Sequence, residues 1–468
     1  MPEKALHKAS ASELAAAMRA RKLSPVELTK HCLERIERLN PSVNAFVFVD
    51  HEAALSAAQF AEDRFQRDAD QPLLLGLPMS VKDNIMVAGM RSTSGSKLFA
   101  DYIPTEDSGI VTNARRAGAT ILGKTNTPAF GWTGTTDNLL FGPTRNPFDN
   151  SLTPGGSSGG AAVSAALGLA PLNVGTDGGG SLRIPAAFTG TVGFKPTHGR
   201  IPDTPPHPHW LIQHYGPVAQ SVADVALMYD ALALPSPLDP HSLPATTESA
   251  RVALGEPLRS RKAVFTTQLG WIGTVDPEIE ATCREAALSL REVGWEVEER
   301  ALAWPDPSPF ANVIAGVGLA HRLKDYRDRL DDIEPGIIRI LETSDRLPAH
   351  AFYEAYLERN RWCAHAHSLL EDIDFLITPT TASLPFPVGQ LAPDSIAGQP
   401  VPASGWTAFP RAFNLSGQPA ISVPAGKSRS GLPIGLQIVG KRFSDISVLR
   451  AASTFEKLRP WRTPGLSL

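Results

Sequence analysis

Two serines, Ser157 and Ser181, lie in glycine-rich surroundings that suit chemistry on a bound ligand. Ser157 belongs to the run Thr-Pro-Gly-Gly-Ser-Ser-Gly-Gly at residues 153–160, and Ser181 follows three glycines at residues 178–180. Glycine lets the backbone turn sharply and lets other atoms approach closely, so a serine there faces a ligand instead of packing in the core. The glycines before Ser181 also leave several backbone N–H groups free to point one way, as a developing oxyanion requires.

A serine hydroxyl needs a base before it can act as a nucleophile. Histidine is the usual base, but none of the 12 histidines lies in either glycine-rich run, and the sequence around Ser181 does not match Gly-x-Ser-x-Gly. A neutral lysine can serve instead, because burial lowers the pKa of an amine. Lys82 follows the short apolar strand 79–81, so we expect its amine where that strand leaves the core. A solvated strand end is the alternative interpretation of Lys82.

A flexible linker is the alternative interpretation of the first glycine-serine run, since such composition is typical of tethers. Two features count against it. The run is followed by Ala-Ala-Val-Ser-Ala-Ala-Leu at residues 161–167, which favours a helix. The second run leads into Arg-Ile-Pro-Ala-Ala-Phe at residues 183–188, which is the composition of a folded core. We therefore interpret both runs as turns of a folded protein.

Strand and helix patterns alternate along the chain, and these elements must position the two serines and the lysine. Helices are predicted at residues 10–21 and 24–39, the second with Ser24-Pro25 as a start signal and Asn40-Pro41 as a stop signal. β-rich segments return near the end of the chain, between residues 375 and 440. The alternation predicts an α/β fold with a large central mixed β-sheet flanked by helices on both faces.

We interpret residues 1–468 as a single domain with several parts. Residues 1–70 form an N-terminal helical region, and residues 75–200 hold Lys82 and both serine runs in a catalytic core. Residues 240–372 form a helical insertion or lid-like subdomain, of which 310–372 is mostly helical and charged. Residues 373–468 complete the sheet.

One segment resembles a phosphate-binding loop by its letters. Residues 118–125 read Gly-Ala-Thr-Ile-Leu-Gly-Lys-Thr, which fits G-x-x-x-x-G-K-[ST]. That motif needs a strand before it, a pliant loop within it and a helix after it. Here a helix precedes it, β-forming residues fill it and Asn126-Thr127-Pro128 follows, which disfavours an immediate helix. We therefore favour no nucleotide binding.

Composition excludes several classes of function. The formal net charge is −4, the pI is near 6.3 and no basic run occurs, so no nucleic acid is expected as a partner. Three widely spaced cysteines fit neither a metal nor a disulfide pattern, and the histidine pairs His207/His209 and His365/His367 lack a third ligand, so no metal is expected. No signal core or membrane-spanning stretch is seen, so we expect a cytoplasmic protein without a membrane partner.

Several motifs together resemble the amidase signature family. The resemblance covers about residues 75–200 and, less strongly, residues 414–440, and the 24-residue spacing between Ser157 and Ser181 agrees with it. The motifs are Val81-Lys82-Asp83-Asn84, Gly123-Lys124-Thr125-Asn126, Pro154-Gly155-Gly156-Ser157-Ser158-Gly159-Gly160, Gly175-Thr176-Asp177-x-Gly179-Gly180-Ser181-x-Arg183-x-Pro185 and Gly193-Phe194-Lys195-Pro196-Thr197.

The resemblance implies a Ser–cis-Ser–Lys triad and an amide-hydrolysing enzyme without metal or cofactor. In it Ser181 attacks the amide carbonyl, Ser157 relays the proton, Lys82 is the terminal base, and a cis peptide bond precedes Ser157. The implied oxyanion hole consists of the N–H groups of Gly178, Gly179, Gly180 and Ser181. Asp177 and Arg183 are expected to hold the loop, and Lys124 to be structural.

The substrate is the least constrained prediction. Aromatics around residues 405–411, where the amidotransferase branch of the family would carry a carboxylate for glutamine, favour a free-standing amidase acting on a hydrophobic or aryl amide. We predict that the substrate contacts Gly131, Trp132, Trp406 and Phe409, with core packing as the alternative for the aromatics. Two other hypotheses stay open: the glutaminase (A) subunit of a tRNA-dependent amidotransferase, and a non-catalytic or nucleotide-binding protein. A homodimer is a further option.

Overall fold

The computed structural model describes residues 3–67, 71–368 and 370–461, with side chains from residue 6 onward. Its strands are β1 (Phe46–Val49), β2 (Pro78–Lys82), β3 (Thr120–Thr125), β4 (Leu172–Asp177), β5 (Val192–Lys195), β6 (His214–Ala219), β7 (Lys262–Phe265), β8 (Glu296–Glu299), β9 (Phe375–Pro379), β10 (Ser395–Ile396), β11 (Gln399–Pro400), β12 (Ala420–Lys427) and β13 (Pro433–Gly440).

The helices lie between these strands in sequence. They are α1 (Ala11–Arg19), α2 (Pro25–Val43), α3 (His51–Gln66), α4 (Gly109–Arg116), α5 (Gly159–Leu167), α6 (Arg183–Thr189), α7 (Val222–Leu232), α8 (Ala250–Ala253), α9 (Pro277–Ser289), α10 (Ser308–Arg322), α11 (Pro335–Asp345), α12 (Ala351–Ser368), α13 (Ala408–Leu415) and α14 (Asp445–Leu458).

A mixed sheet, 11-stranded over the described residues, forms the centre of the molecule. Its strand order is β1-β3-β2-β4-β6-β5-β12-β13-β9-β7-β8, and helices flank both faces, as predicted. Strand β2 runs parallel to both of its neighbours, β3 and β4. Because parallel strands end at the same edge of a sheet, the carboxyl ends of β2 and β4 bring Lys82 and Asp177 to one edge.

Strand β3 decides the phosphate-loop question. Gly123, Lys124 and Thr125 lie within this buried strand and pair with β1 on one side and β2 on the other. A phosphate-binding loop needs free backbone N–H groups that curl around the ligand, which a strand paired on both edges does not offer. The segment that matches the motif therefore forms a central strand and not a phosphate-binding loop, as the sequence context indicated.

Helix α2 begins as predicted and ends later than predicted. Ser24 caps its first turn by accepting the N–H groups of Val26 and Glu27. The prediction that Asn40-Pro41 stops the helix is wrong, because the helix continues to Val43. Proline removes one helical hydrogen bond. The helix is closed by Asn44, which adopts a left-handed conformation and donates its N–H to the Asn40 carbonyl at 2.8 Å, while the Asn40 side chain accepts the N–H groups of residues 45 and 46 at 2.8 and 2.7 Å.

A second apolar cluster lies beside the main core and joins two distant parts of the chain. It connects α10, α11 and the segment between them to Leu98 and to the loop that follows β3. Its buried members are Leu98, Ala129, Phe130, Leu319, Leu323, Ile333, Ile337 and Leu341, with Trp132 packed against them. Among the described residues, no helix combines the length and the apolar character that crossing a bilayer requires.

Candidate active site

Lys82 is the last residue of β2, and its side chain is fully buried. Its Nζ donates to Ser157 Oγ at 2.6 Å and to Thr176 Oγ1 at 2.8 Å. Burial lowers the pKa of this amine well below its ordinary value, and the negative charge of Asp177 only partly opposes that shift. The site therefore favours an uncharged amine, which can accept a proton from a neighbouring hydroxyl.

Ser157 sits in a tight turn that leaves no room for side chains on its neighbours. The peptide bond between Gly156 and Ser157 is cis, as the resemblance implied. A Cβ on Gly156 would lie 2.9 Å from the Oγ1 of Thr136, closer than real Cβ contacts come. On the other side, a Cβ on Gly131 would lie 3.1 Å from Ser157 Oγ, so backbone closely approaches the serine hydroxyl there.

Ser181 lies in the loop between β4 and α6, two residues before the helix begins, and is 8% exposed. Its carbonyl oxygen accepts the N–H of Ser158 at 3.1 Å, which ties the two serine runs together. Ser158 Oγ in turn bonds the backbone of Thr176, donating to its carbonyl at 3.0 Å. Two chain segments that are distant in sequence thus meet at the end of β4.

A buried ion pair shapes the glycine loop before Ser181. Arg183 Nε donates to Asp177 Oδ2 at 2.9 Å, and neither side chain is exposed. The charge of Arg183 and hydrogen bonds from Arg183 and Asn414 outweigh the opposing effect of burial and hold the pKa of the Asp177 carboxyl well below its usual range. Asp177 thus remains an anion and can accept backbone N–H groups from the loop, as support of the loop requires.

One of those N–H groups belongs to the predicted oxyanion hole. The N–H of Gly180 donates to Asp177 Oδ1 at 2.6 Å, and that of Leu182 donates to Oδ2 at 3.1 Å. The Gly180 N–H is therefore already engaged, which removes it from the predicted set. The N–H groups of Gly178, Gly179 and Ser181 have no acceptor among the described residues.

Three residues that sequence reasoning did not single out complete the network. Thr176 fixes the Lys82 amine and also accepts from Asn84 Nδ2 at 3.3 Å. From the C-terminal part of the chain, Asn414 Oδ1 and Gln437 Oε1 each accept from Arg183 at 2.6 Å. Thr176 and Asn414 lie inside the segments that carried the resemblance, so a signal for them was present. Gln437 also lies within residues 414–440, so the same weaker signal covered it.

The four residues predicted to contact substrate fall into two groups. Gly131 lies against Ser157, and Trp132 is half-buried beside it and packs against Gly336. Trp406 and Phe409 belong to the main apolar core, at 1% and 0% exposure. Trp406 stacks on Phe188 with ring centroids 5.7 Å apart, which is the core packing named as the alternative.

Lys124 takes no part in this cluster. Its Nζ donates to the carbonyl of Ile85 at 2.5 Å and to Ser92 Oγ at 2.6 Å, so it braces the loop that follows β2. Burial lowers the pKa of its amine to about 8. Within the part of the chain that the structure describes, no group of three or more His, Cys, Asp or Glu side chains could hold a metal ion.

Comparison with known proteins agrees with this arrangement. The model of the family described as Amidase matches residues 27–449. The chain belongs to the amidase family. This amidase is 37% identical to an acylamidase from Rhodococcus erythropolis, and the match covers 98% of each protein. It is 32% identical to the A subunit of the glutamyl-tRNA(Gln) amidotransferase from Chloroflexus aggregans, again over 98% of each.

The fold of the amidase also matches solved structures. A bacterial aryl acylamidase of the amidase signature family superposes with a TM-score of 0.92 at 31% identity, covering 97% of each chain. The predicted family, the predicted fold class and the prediction of an amide-hydrolysing enzyme are confirmed.

Proposed function

We propose that this amidase hydrolyses amides through an acyl-enzyme on Ser181, with Ser157 as proton relay and Lys82 as terminal base. The main support for the proposal is the fully buried Lys82 amine, whose Nζ donates to Ser157 Oγ at 2.6 Å. Burial lowers the pKa of this amine and favours its uncharged form, which can take up the proton that a serine loses when it attacks a carbonyl.

The reaction divides into two acyl transfers. Ser181 Oγ attacks the amide carbon, its proton passes to Ser157 Oγ, and the Ser157 proton passes to Lys82 Nζ. The proton then returns through Ser157 to the amide nitrogen, the C–N bond breaks, and an ester on Ser181 remains. Water, deprotonated by the same relay, attacks that ester and releases the acid and free Ser181.

The developing oxyanion is assigned to the N–H groups of Gly178, Gly179 and Ser181. These groups have no acceptor among the described residues, whereas that of Gly180 is engaged by Asp177. Removing one donor from such a hole typically costs about 2.7–4 kcal/mol of transition-state stabilisation. The Asp177–Arg183 pair fixes this loop in advance, so little reorganisation is needed during the reaction.

We assign a hydrophobic or aryl amide as the substrate. Trp132 offers an apolar surface next to Gly131, whose backbone borders Ser157. The acylamidase from Rhodococcus erythropolis, at 37% identity, is named for acyl amides, and the bacterial aryl acylamidase, at 31% identity, is named for aryl amides. Small-molecule amides are thus the proposed partners.

The glutaminase component of an amidotransferase is the second candidate, supported by the 32% identity to the A subunit from Chloroflexus aggregans. Glutaminase activity that appears only with partner proteins would favour it over a free-standing enzyme. The proposed location is the cytoplasm, in agreement with Cys32, Cys283 and Cys363 all being free thiols. The homodimer stays a proposal that sedimentation would test.

The proposal is tested with acetanilide, a longer-chain anilide, aliphatic amides and glutamine as substrates. We expect Ser181→Ala to abolish hydrolysis while the protein stays folded, and mass spectrometry to find the acyl group of a slow substrate on the peptide that contains Ser181. Ser164→Ala is the matched control, because Ser164 is a buried serine of α5 whose hydroxyl has no hydrogen-bond partner among the described residues. Full activity of the Ser181→Ala variant would remove Ser181 from the mechanism.

A further inference from the structure

Arg322, the last residue of α10, points back toward the catalytic half of the molecule. Its guanidinium donates to Ser94 Oγ and to His207 Nε2, each at 3.0 Å, and lies 4.8 Å from the ring centroid of Phe130. Burial lowers the pKa of Arg322 to about 10, so the group is still a cation at neutral pH. One side chain thus contacts three separate loops, two of which continue toward the site.

Ser94 and Phe130 share an unusual backbone conformation. Their φ angles are 53° and 55°, in the left-handed region that non-glycine residues rarely adopt. The N–H of Phe130 donates to the carbonyl of Ser94 at 2.8 Å, and this hydrogen bond joins the two loops at what we call the Ser94–Phe130 junction. A bulky residue persists in this conformation only when surrounding contacts hold it there. Arg322 contacts the side chains of both.

The residue that follows Phe130 in the chain, Gly131, borders the relay serine. Gly131 has φ 71°, and a Cβ on it would lie 3.1 Å from Ser157 Oγ and 3.6 Å from Asn84 Nδ2. Any relaxation of Phe130 toward an ordinary conformation would therefore move the Gly131 backbone relative to Ser157. The distance between Ser157 Oγ and Lys82 Nζ, on which proton relay depends, would change with it.

We infer that Arg322 is a positioning residue for catalysis, because it holds the left-handed residues of the Ser94–Phe130 junction, which sets Gly131 against Ser157. The inference rests on the proposed role of Ser157. It gives the helical segment between β8 and β9 a part in the reaction, although this segment supplies none of the reacting groups.

A purely structural role for Arg322 predicts a different result. If the guanidinium only joins α10 to the rest of the protein, its loss lowers the melting temperature and leaves kcat of the folded enzyme unchanged. If Arg322 positions the Ser94–Phe130 junction, kcat falls for every substrate, because Ser157 serves short and long acyl groups alike. A defect confined to long acyl groups would instead indicate a change at Trp132.

The experiment compares Arg322→Met with wild type on acetanilide and a longer-chain anilide, at a temperature where both proteins are folded. We expect kcat to fall about tenfold or more for both substrates, with KM changed less than about threefold. Arg322→Lys, which keeps the charge and one hydrogen bond, should recover part of the loss. Arg329→Met is the matched control, because Arg329 is an exposed arginine nearby that pairs with Asp332.

A rescue variant separates positioning from general damage. Glycine adopts positive φ without strain, so Ser94→Gly should remove the strain on the Ser94 side of the Ser94–Phe130 junction and reduce the dependence of the junction on Arg322. We expect Ser94→Gly to raise kcat of the Arg322→Met variant by about threefold or more, without raising that of wild type. An unchanged kcat in Arg322→Met, or a loss that Ser94→Gly fails to relieve, overturns the inference.

Failure of the proposed function would be visible separately in the same assay. Wild type would then hydrolyse none of the amides, or Ser181→Ala would retain activity, whatever the Arg322 variants do. With wild type active and Ser181→Ala inactive, the Arg322 series tests the positioning role alone.

Discussion

Replacement of Thr176 by valine is the sharpest test of how the lysine is held. Thr176 is 3% exposed, and its Oγ1 is one of two acceptors that the structure gives the Lys82 amine. Valine keeps the shape of threonine and removes only the hydroxyl. The amine then keeps Ser157 as a partner and has one N–H directed at a methyl group.

The size of the effect follows from that unpaired N–H. A buried donor left without an acceptor costs about 1–3 kcal/mol. If this free energy is expressed in the transition state, kcat falls about 5- to 150-fold, since each 1.36 kcal/mol is tenfold in rate. The amine of a misplaced Lys82 would also receive the Ser157 proton less readily, which acts in the same direction.

The assay is the pH dependence of kcat for a simple anilide. Lys82 must be uncharged to act as base, so kcat falls on the acid side as the pH drops through the pKa of its amine. The threonine oxygen stabilises the charged ammonium, so its removal lowers the pKa further. We therefore expect a smaller plateau kcat in Thr176→Val and an acid limb displaced to lower pH.

Thr176→Ser is the control, because it keeps the hydroxyl and should retain most of the wild-type kcat and the position of the acid limb. Wild-type kcat in Thr176→Val, or an acid limb displaced to higher pH, would refute the assignment of Lys82 as a base held by this hydroxyl. A melting curve of each variant separates catalytic loss from unfolding.

Two further perturbations follow from the packing. A Cβ on Gly336 would lie 2.6 Å from Cζ3 of Trp132, so Gly336→Ala should displace the indole. We expect kcat/KM for a long-chain anilide to drop about tenfold relative to kcat/KM for acetanilide. Gly273→Ala is the control, because a Cβ there meets no atom within 4 Å, and it should leave kcat/KM for both substrates unchanged. Burial raises the pKa of Asp203 from 3.8 to about 7. The folded state therefore binds more protons than the unfolded state between about pH 4 and 7, and stability falls as pH rises through that window; Asp203→Asn should flatten this slope in urea titrations at several pH values.

Local motifs made the centre of the site predictable. Lys82 follows a short apolar strand, and each serine stands next to glycines that the backbone needs for its turns, so type and spacing were enough to propose the pair of serines and the base. The mixed sheet was predictable for a similar reason, since buried strands such as β3 and β9 are short apolar runs bounded by turn residues.

What the sequence did not reveal depends on distant contacts or on backbone direction. The N–H of Gly180 donates to Asp177 because the loop curls back on itself, and residue types do not show that direction. The place of Trp406 in the core depends on Phe188, which lies far earlier in the chain. The end of α2 was predicted too early because Pro41 removes only its own N–H from the helix, which continues to the left-handed Asn44 that closes it.

The positions of the Arg183 partners in the sequence determine when the active site can assemble during protein synthesis. Asn414 and Gln437 lie 231 and 254 residues downstream of this buried guanidinium. A growing chain that has released both serines from the ribosome still lacks the acceptors that complete the loop before Ser181. Arg183 keeps its ion pair with Asp177 in such a chain, but the N–H groups that donate to Asn414 and Gln437 lack their acceptors, and unpaired buried donors are destabilising. We therefore expect the nascent polypeptide to carry its reactive hydroxyls unassembled until translation has nearly finished, and a C-terminal truncation before β13 to remove hydrolysis although every reacting group is present.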